Sequence, residues 1–166
     1  MPKTRKLALM AMFTAASLIV FVIEAQIPAP IPVPGVKLGL ANIVTLIAMV
    51  MLGRREAGLI LLVRIAMGSM FTGGVSAFIF SIAGGALAYA VMCLTLKPFS
   101  GELLWVISVL GAIAHNLGQL IAAIIITKTG SLMLYAPVLL ASAVVTGAFT
   151  GLAAMYLTQR LDKRVG

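Results

Sequence analysis

The chain is 166 residues long, 62% hydrophobic and only 10% charged, with a mean hydropathy of +1.18, whereas soluble domains run nearer half apolar and a quarter charged. That composition excludes a water-soluble globular domain. The 12 Lys+Arg against 4 Asp+Glu give a net charge of +8, but no basic helix interleaved with aromatics supports nucleic-acid binding, so the charges are read as topology signals.

A bilayer-crossing helix takes about 20 apolar residues, so six would use roughly 120 positions and leave about 46 for loops and tails. The expectation is an all-α polytopic membrane protein, a single six-helix transmembrane domain over residues 1–166 with both termini cytoplasmic. The first span is read over about 7–27, behind Lys3, Arg5 and Lys6. Its apolar run is longer than a signal-peptide core of 7–15 residues, and more spans follow, so it is read as an anchored helix. Pro28, Pro30, Pro32, Pro34 and Gly35 then break the helix, because proline lacks the amide donor and restricts the residue before it. This stretch reads as a stiff, extended loop.

The second span, about 38–53, is short and ends at Arg54, Arg55 and Glu56; the third, about 57–71, contains Arg64. A Thr72-Gly73-Gly74 turn leads to the fourth, about 75–96, closed by Lys97-Pro98. The fifth, about 103–127, carries His115, Asn116 and Gln119, and the sixth, about 134–157, has Pro137 in its first turn, where a missing amide hydrogen is tolerated. With an inside N-terminus, Lys3, Arg5, Lys6, Arg54, Arg55, Lys97, Arg160, Lys163 and Arg164 fall on the cytoplasmic side. Only Lys37 and Lys128 fall outside, as the positive-inside rule requires.

Small residues recur at helical spacing: Ala11 and Ala15 on the first span, Gly84, Gly85 and Ala88 on the fourth, Ala114, Gly118 and Ala122 on the fifth, and Ala143, Gly147 and Gly151 on the sixth. Such stripes mark close helix approach, within the bundle or against another subunit. The lone Cys93 excludes an intramolecular disulfide and reads as packing.

The polar residues inside the spans carry the functional reading. Arg64 lies roughly 10 Å into the third span; its guanidinium stays charged and needs an acceptor, either a structural clamp or a substrate anion or headgroup. His115 and Gln119, four apart, share a helix face that Asn116 flanks. With Asn42 and Glu24 they fall in the outer part of the bilayer, and Lys37 with the proline loop forms a rim. Convergence on one outward-open, substrate-binding cavity is the expectation for Arg64, His115, Asn116, Gln119, Asn42, Lys37 and Glu24. A single histidine without a second histidine or a cysteine nearby is not read as a metal site, and no cofactor is inferred. The chain holds no Gly-rich phosphate loop with its lysine. Its only aspartate, Asp162, is in the tail, so no catalytic residue is assigned and the reading leans away from an enzyme.

Pro34-Gly-Val-Lys-Leu-Gly-Leu-Ala-Asn42-Ile-Val-Thr-Leu46, Arg64 with Gly68 and Gly73, Phe80-Ser-Ile-Ala-Gly-Gly85, His115-Asn-Leu-Gly-Gln119, and Tyr135-Ala-Pro137 with Gly147 and Gly151 together resemble the bacterial membrane family called heptaprenyl diphosphate synthase component I, or Gx transporter family. The resemblance runs over nearly the whole chain. Its six-helix design is similar to the substrate-binding S components of energy-coupling factor transporters. It thereby implies a multi-pass subunit of the bacterial inner membrane that captures a small solute for a separate coupling subunit and ATPases. Ala11 and Ala15 resemble the small-residue motif such subunits present to the coupling partner. The family name implies an alternative, a noncatalytic membrane partner of a prenyltransferase in polyprenyl diphosphate or menaquinone synthesis, and relatives are linked to flavoprotein-based extracellular electron transfer.

Overall fold

The computed structural model describes residues 2–27, 37–72, 74–96 and 103–165. The proline-rich stretch expected as a stiff loop, and the Lys97-Pro98 break, lie outside them. The described residues form α1 (Lys3–Glu24), α2 (Asn42–Met51), α3 (Arg54–Thr72), α4 (Gly74–Thr95), α5 (Leu104–Thr127), a 3-10 helix η1 (Gly130–Tyr135) and α6 (Ala136–Val165), with no strand among them.

Four stretches are long and apolar enough to cross a bilayer: Lys3–Glu24, Gly74–Thr95, Leu104–Thr127 and Gly130–Arg160. Those are the helices of a multi-pass membrane protein. The other two fall short of that length or apolarity, each for a physical reason. In α3, Arg54, Arg55, Glu56 and Arg64 dilute an otherwise apolar 19-residue helix. In α2, helix occupies only 10 residues, a rise of about 15 Å against a hydrocarbon thickness of about 30 Å. The expected 38–53 span is therefore a half-length helix entered by a non-helical segment, residues 37–41. The 3-10 helix η1 leads directly into α6, and together they make up the last long apolar stretch, Gly130–Arg160.

This short helix is the hub of the bundle. α1, α3, α4, α5 and α6 pack in that order around α2, which touches all five, while α1 and α6 each meet α2 but not each other. Seven of its ten residues are buried. Leu46, Ile47, Ala48 and Met49 form a core with Ala57 and Ile60 of α3, Ala88 and Met92 of α4, Leu104 and Ile107 of α5, and Ala154 of α6.

Helix directions alternate. Lys6 at the start of α1 pairs with Glu56 at the start of α3, and the Tyr89 hydroxyl, late in α4, donates to the Arg54 carbonyl at 2.8 Å. These contacts gather Lys3, Arg5, Lys6, Arg54 and Arg55 at one end of the bundle, called the basic end below. The small-residue stripes of the later helices serve packing within the chain: a β-carbon on Gly147 would stand 2.6 Å from Val109 Cα, one on Gly151 2.5 Å from Trp105 Cα, and one on Gly118 2.6 Å from the Ala83 carbonyl. Ala11 and Ala15, in contrast, are exposed on α1.

Candidate binding site

The buried residues of α1 lie on one stripe. Ser17, Phe21 and Glu24 are its three buried residues, spaced four and three apart so that they share a helix face. They look into the half of the bundle opposite the basic end.

Glu24 accounts for the way α2 begins. Its carboxylate accepts the backbone N–H of Gly39 through Oε1 and that of Ala41 through Oε2 at 3.4 Å, although it is only 3% exposed. The first amides of a helix have no internal partner and carry the positive end of its dipole, so a carboxylate there satisfies donors and charge together. Gly39 has φ +83, a conformation glycine adopts without steric cost, and the tightness of this turn depends on it.

The turn is pinned from the other side by α5. Gln119 Oε1 accepts the backbone N–H of Lys37 at 3.0 Å. The His115 ring lies between two glycines: a β-carbon on Gly39 would stand 2.7 Å from its Cδ2, and one on Gly84 of α4 2.9 Å from its Nδ1. Neither ring nitrogen has a hydrogen-bond partner, and neither does Asn42 Nδ2, 3.0 Å from the same Gly39 β-carbon position.

Two cations meet on Phe21, which sequence reasoning did not single out. Lys37 Nζ lies 3.3 Å from the centre of its ring and Arg64 Cζ 5.2 Å from it, both within cation–π range. Gly68 of α3 lets the ring in, since a β-carbon there would be 2.6 Å from it. Burial pushes the Lys37 ammonium down to about 8; the charge of Glu24 opposes that shift and the charge of Arg64 adds to it.

Arg64 is 2% exposed, and its Nε and Nη2 have no hydrogen-bond partner. Among the described residues the ion pair within 4 Å is Lys6–Glu56, at the other end of α3, so Glu24, spent on the α2 turn, does not clamp Arg64. The interior also holds Ser17 Oγ and Thr45 Oγ1 without partners. Buried polar groups normally find partners, and this cluster is rich in donors with one positive charge in excess: Arg64 and Lys37 against Glu24.

The expected residues therefore come together unevenly. Glu24, Lys37, Asn42, His115 and Gln119 meet around Gly39, and Arg64 joins them through Phe21. Asn116 turns away: its Nδ2 donates to the Leu139 carbonyl of α6 at 2.9 Å, because the adjacent position on a helix faces about 100° around the axis from His115. Phe21 and Ser17 had one legible signal, their spacing of three and seven residues before Glu24. Among the described residues no group of three or more His, Cys, Asp or Glu is placed to hold a metal ion.

No match is found among curated proteins or among solved structures. Residues 13–157 match the family heptaprenyl diphosphate synthase component I, and the chain, a multi-pass helical membrane protein, belongs to that family.

Proposed function

We propose that this protein is the solute-binding membrane subunit of an uptake system, similar in role to the S components of energy-coupling factor transporters, and that it takes an anionic solute into the polar cluster around Arg64. The observation that carries this reading is a fully buried guanidinium with two unpartnered nitrogens, where the one buried carboxylate among the described residues, Glu24, already serves backbone amides. A charged arginine inside a membrane protein faces an acceptor or a water-filled path, and here the unpartnered donors around it are Asn42, Thr45 and Ser17. His115 and Gln119 seat the turn that closes on the cluster, and Lys37 brings the second charge. On this reading the basic end is cytoplasmic, the cluster opens outward, the host is a bacterial inner membrane, and the exposed Ala11–Ala15 stripe faces a coupling subunit served by ATPases.

The family name favours a second reading, in which this chain is the noncatalytic partner of a prenyltransferase. With Asp162 as its only aspartate, magnesium and diphosphate chemistry would then belong to the other component.

Native mass spectrometry of the protein extracted mildly from its own membrane separates the two. A small anionic adduct together with ATPases supports uptake. A polyprenyl-sized adduct with a soluble prenyltransferase or flavoprotein, and no ATPase, supports the second. Arg64→Ala is expected to abolish the adduct while the protein still inserts and folds; a variant that fails to fold, its surviving fraction binding normally, makes Arg64 a structural clamp. Orientation is tested with Lys37→Cys in a Cys93→Ala background, which should react with an impermeant reagent in intact cells.

A further inference from the structure

The seam between α3 and α4 carries a groove of about 180 Å³, away from the polar cluster, lined by Gly58, Leu61, Leu62, Ile65, Ile82, Ala86 and Tyr89. Leu61 and Ile65 are buried and make its floor, while Leu62 and Ala86 are exposed and make its rims. Tyr89 closes the end nearer the basic end, crossing over Gly58, where a β-carbon would be 3.0 Å from its hydroxyl, to bond the Arg54 carbonyl. The lining is apolar but for that spent hydroxyl, and its exposed rims put the groove on the outer surface of the bundle.

The helix continues this stripe past the groove into charge. Arg55 stands three residues before Gly58 and seven before Leu62, so it lies on the same face, one turn beyond the groove's end. It is exposed, and among the described residues no carboxylate lies within 4 Å of it or of Arg54, the neighbouring Glu56 being paired with Lys6. An apolar slot thus ends, one helical turn on, beside the exposed guanidinium of Arg55. Guanidinium groups match phosphate geometry, and basic pockets between helices at a membrane surface recognise anionic head groups.

The geometry points to a binding site for one anionic glycerophospholipid of the leaflet at the basic end, its phosphate on Arg55 and one acyl chain in the α3–α4 groove. The inference rests on the membrane placement of these helices and not on the solute-binding reading. A lipid held there bridges the two helices whose inner faces present Arg64 and Gly84 to the polar cluster.

The test is native mass spectrometry of the protein extracted in mild detergent from membranes of measured phospholipid composition. The expected result is one retained phospholipid per chain, enriched in anionic species over their share of the membrane. Arg55→Gln should lower that retention about fivefold, the loss of one surface charge against a lipid phosphate. Ala86→Phe, which fills the groove from an exposed position, should lower it as well. Retention in bulk proportion, preference for a zwitterionic lipid, or indifference to either variant overturns the site, and the first two readouts need no variant.

Discussion

The carboxylate of Glu24, at the last turn of α1, holds the backbone N–H of Gly39, fifteen residues on, and so fixes where α2 can start. With Ala41 as its second donor, the side chain pins the turn that leads into the helix at the centre of the bundle, a role its own sequence neighbours do not reveal. Glu24→Ala is expected to cost about 2–3 kcal/mol of stability, the usual worth of hydrogen bonds to a charged group, read as an earlier unfolding midpoint in detergent without any added solute. Glu24→Gln keeps an acceptor and should lose about half as much. Equal and negligible losses for both would mean that the carboxylate is held for solute rather than for the fold.

Gly39 is expected to tolerate no side chain. A residue with a β-carbon pays about 1–2 kcal/mol at its positive φ, and that carbon would also press on His115 Cδ2 from 2.7 Å. Gly39→Ala should therefore destabilise by at least that amount, whereas Gly130→Ala, with nothing within 4 Å and no positive φ, should stay within about 0.5 kcal/mol. Because part of the Gly39 cost is steric, the double variant Gly39→Ala, His115→Ala should cost less than the sum of the two single ones. Strict additivity in thermal unfolding would show that ring and turn are not in contact.

How much of this could be read beforehand follows from where each contact lies in the chain. The four long helices were legible because twenty apolar residues in a row have few other uses, and the stripe Ala143, Gly147, Gly151 announced a tight helix contact before its partner was known. The brevity of α2 was half legible: the apolar run after residue 38 looked like a short span, but that its first turn is unwound depends on Glu24 and Gln119, which reach it from distant elements. The role of Phe21 was not legible for a similar reason, although its spacing placed it on the face of Glu24. A phenylalanine in a lipid-facing sequence looks like any other, and only Gly68 beneath it with Lys37 and Arg64 over it makes it a platform. Asn116 was placed beside the His115–Gln119 stripe by its three-residue spacing to Gln119, and its amide reaches the Leu139 carbonyl of α6 instead.

The Lys37 ammonium makes the site's pH dependence specific in sign. Its value falls from the usual 10.5 to about 8 in the folded protein, chiefly by burial, with Glu24 of α1 opposing and Arg64 of α3 adding. A group whose folded value is depressed binds more protons unfolded than folded across the interval. Solute-free stability should therefore rise with pH between about 8 and 10.5, then level off. Anion binding should run the other way, weakening as pH rises through about 8 and the positive charge is lost. Lys37→Gln should flatten both profiles, measured by thermal unfolding and by equilibrium binding of whichever anionic solute is recovered with the protein. A binding profile that strengthens above pH 8 would remove Lys37 from the anion's surroundings.

The α5–α6 seam offers a choice between two kinds of adhesion, and magnitudes decide it. Ser108 and Thr150 share a buried hydrogen bond of 2.9 Å, but Thr150 also donates to its own helix, at Thr146, so its hydroxyl keeps a partner if Ser108 is lost. Interhelical hydrogen bonds in membrane proteins average about 0.6 kcal/mol. One residue further on, Gly151 lets the Trp105 backbone approach so closely that a β-carbon would sit 2.5 Å from its Cα. Backbone cannot swing aside as a side chain can, and overpacking of this kind costs about 1–3 kcal/mol. Ser108→Ala should accordingly be mild and Gly151→Ala severe, with Gly147→Ala close behind because Val109 Cα lies 2.6 Å from its β-carbon position. Unfolding of the three variants in mixed micelles reads the order directly. If Ser108→Ala proves the costliest, the hydroxyl pair and not close backbone approach holds these helices together.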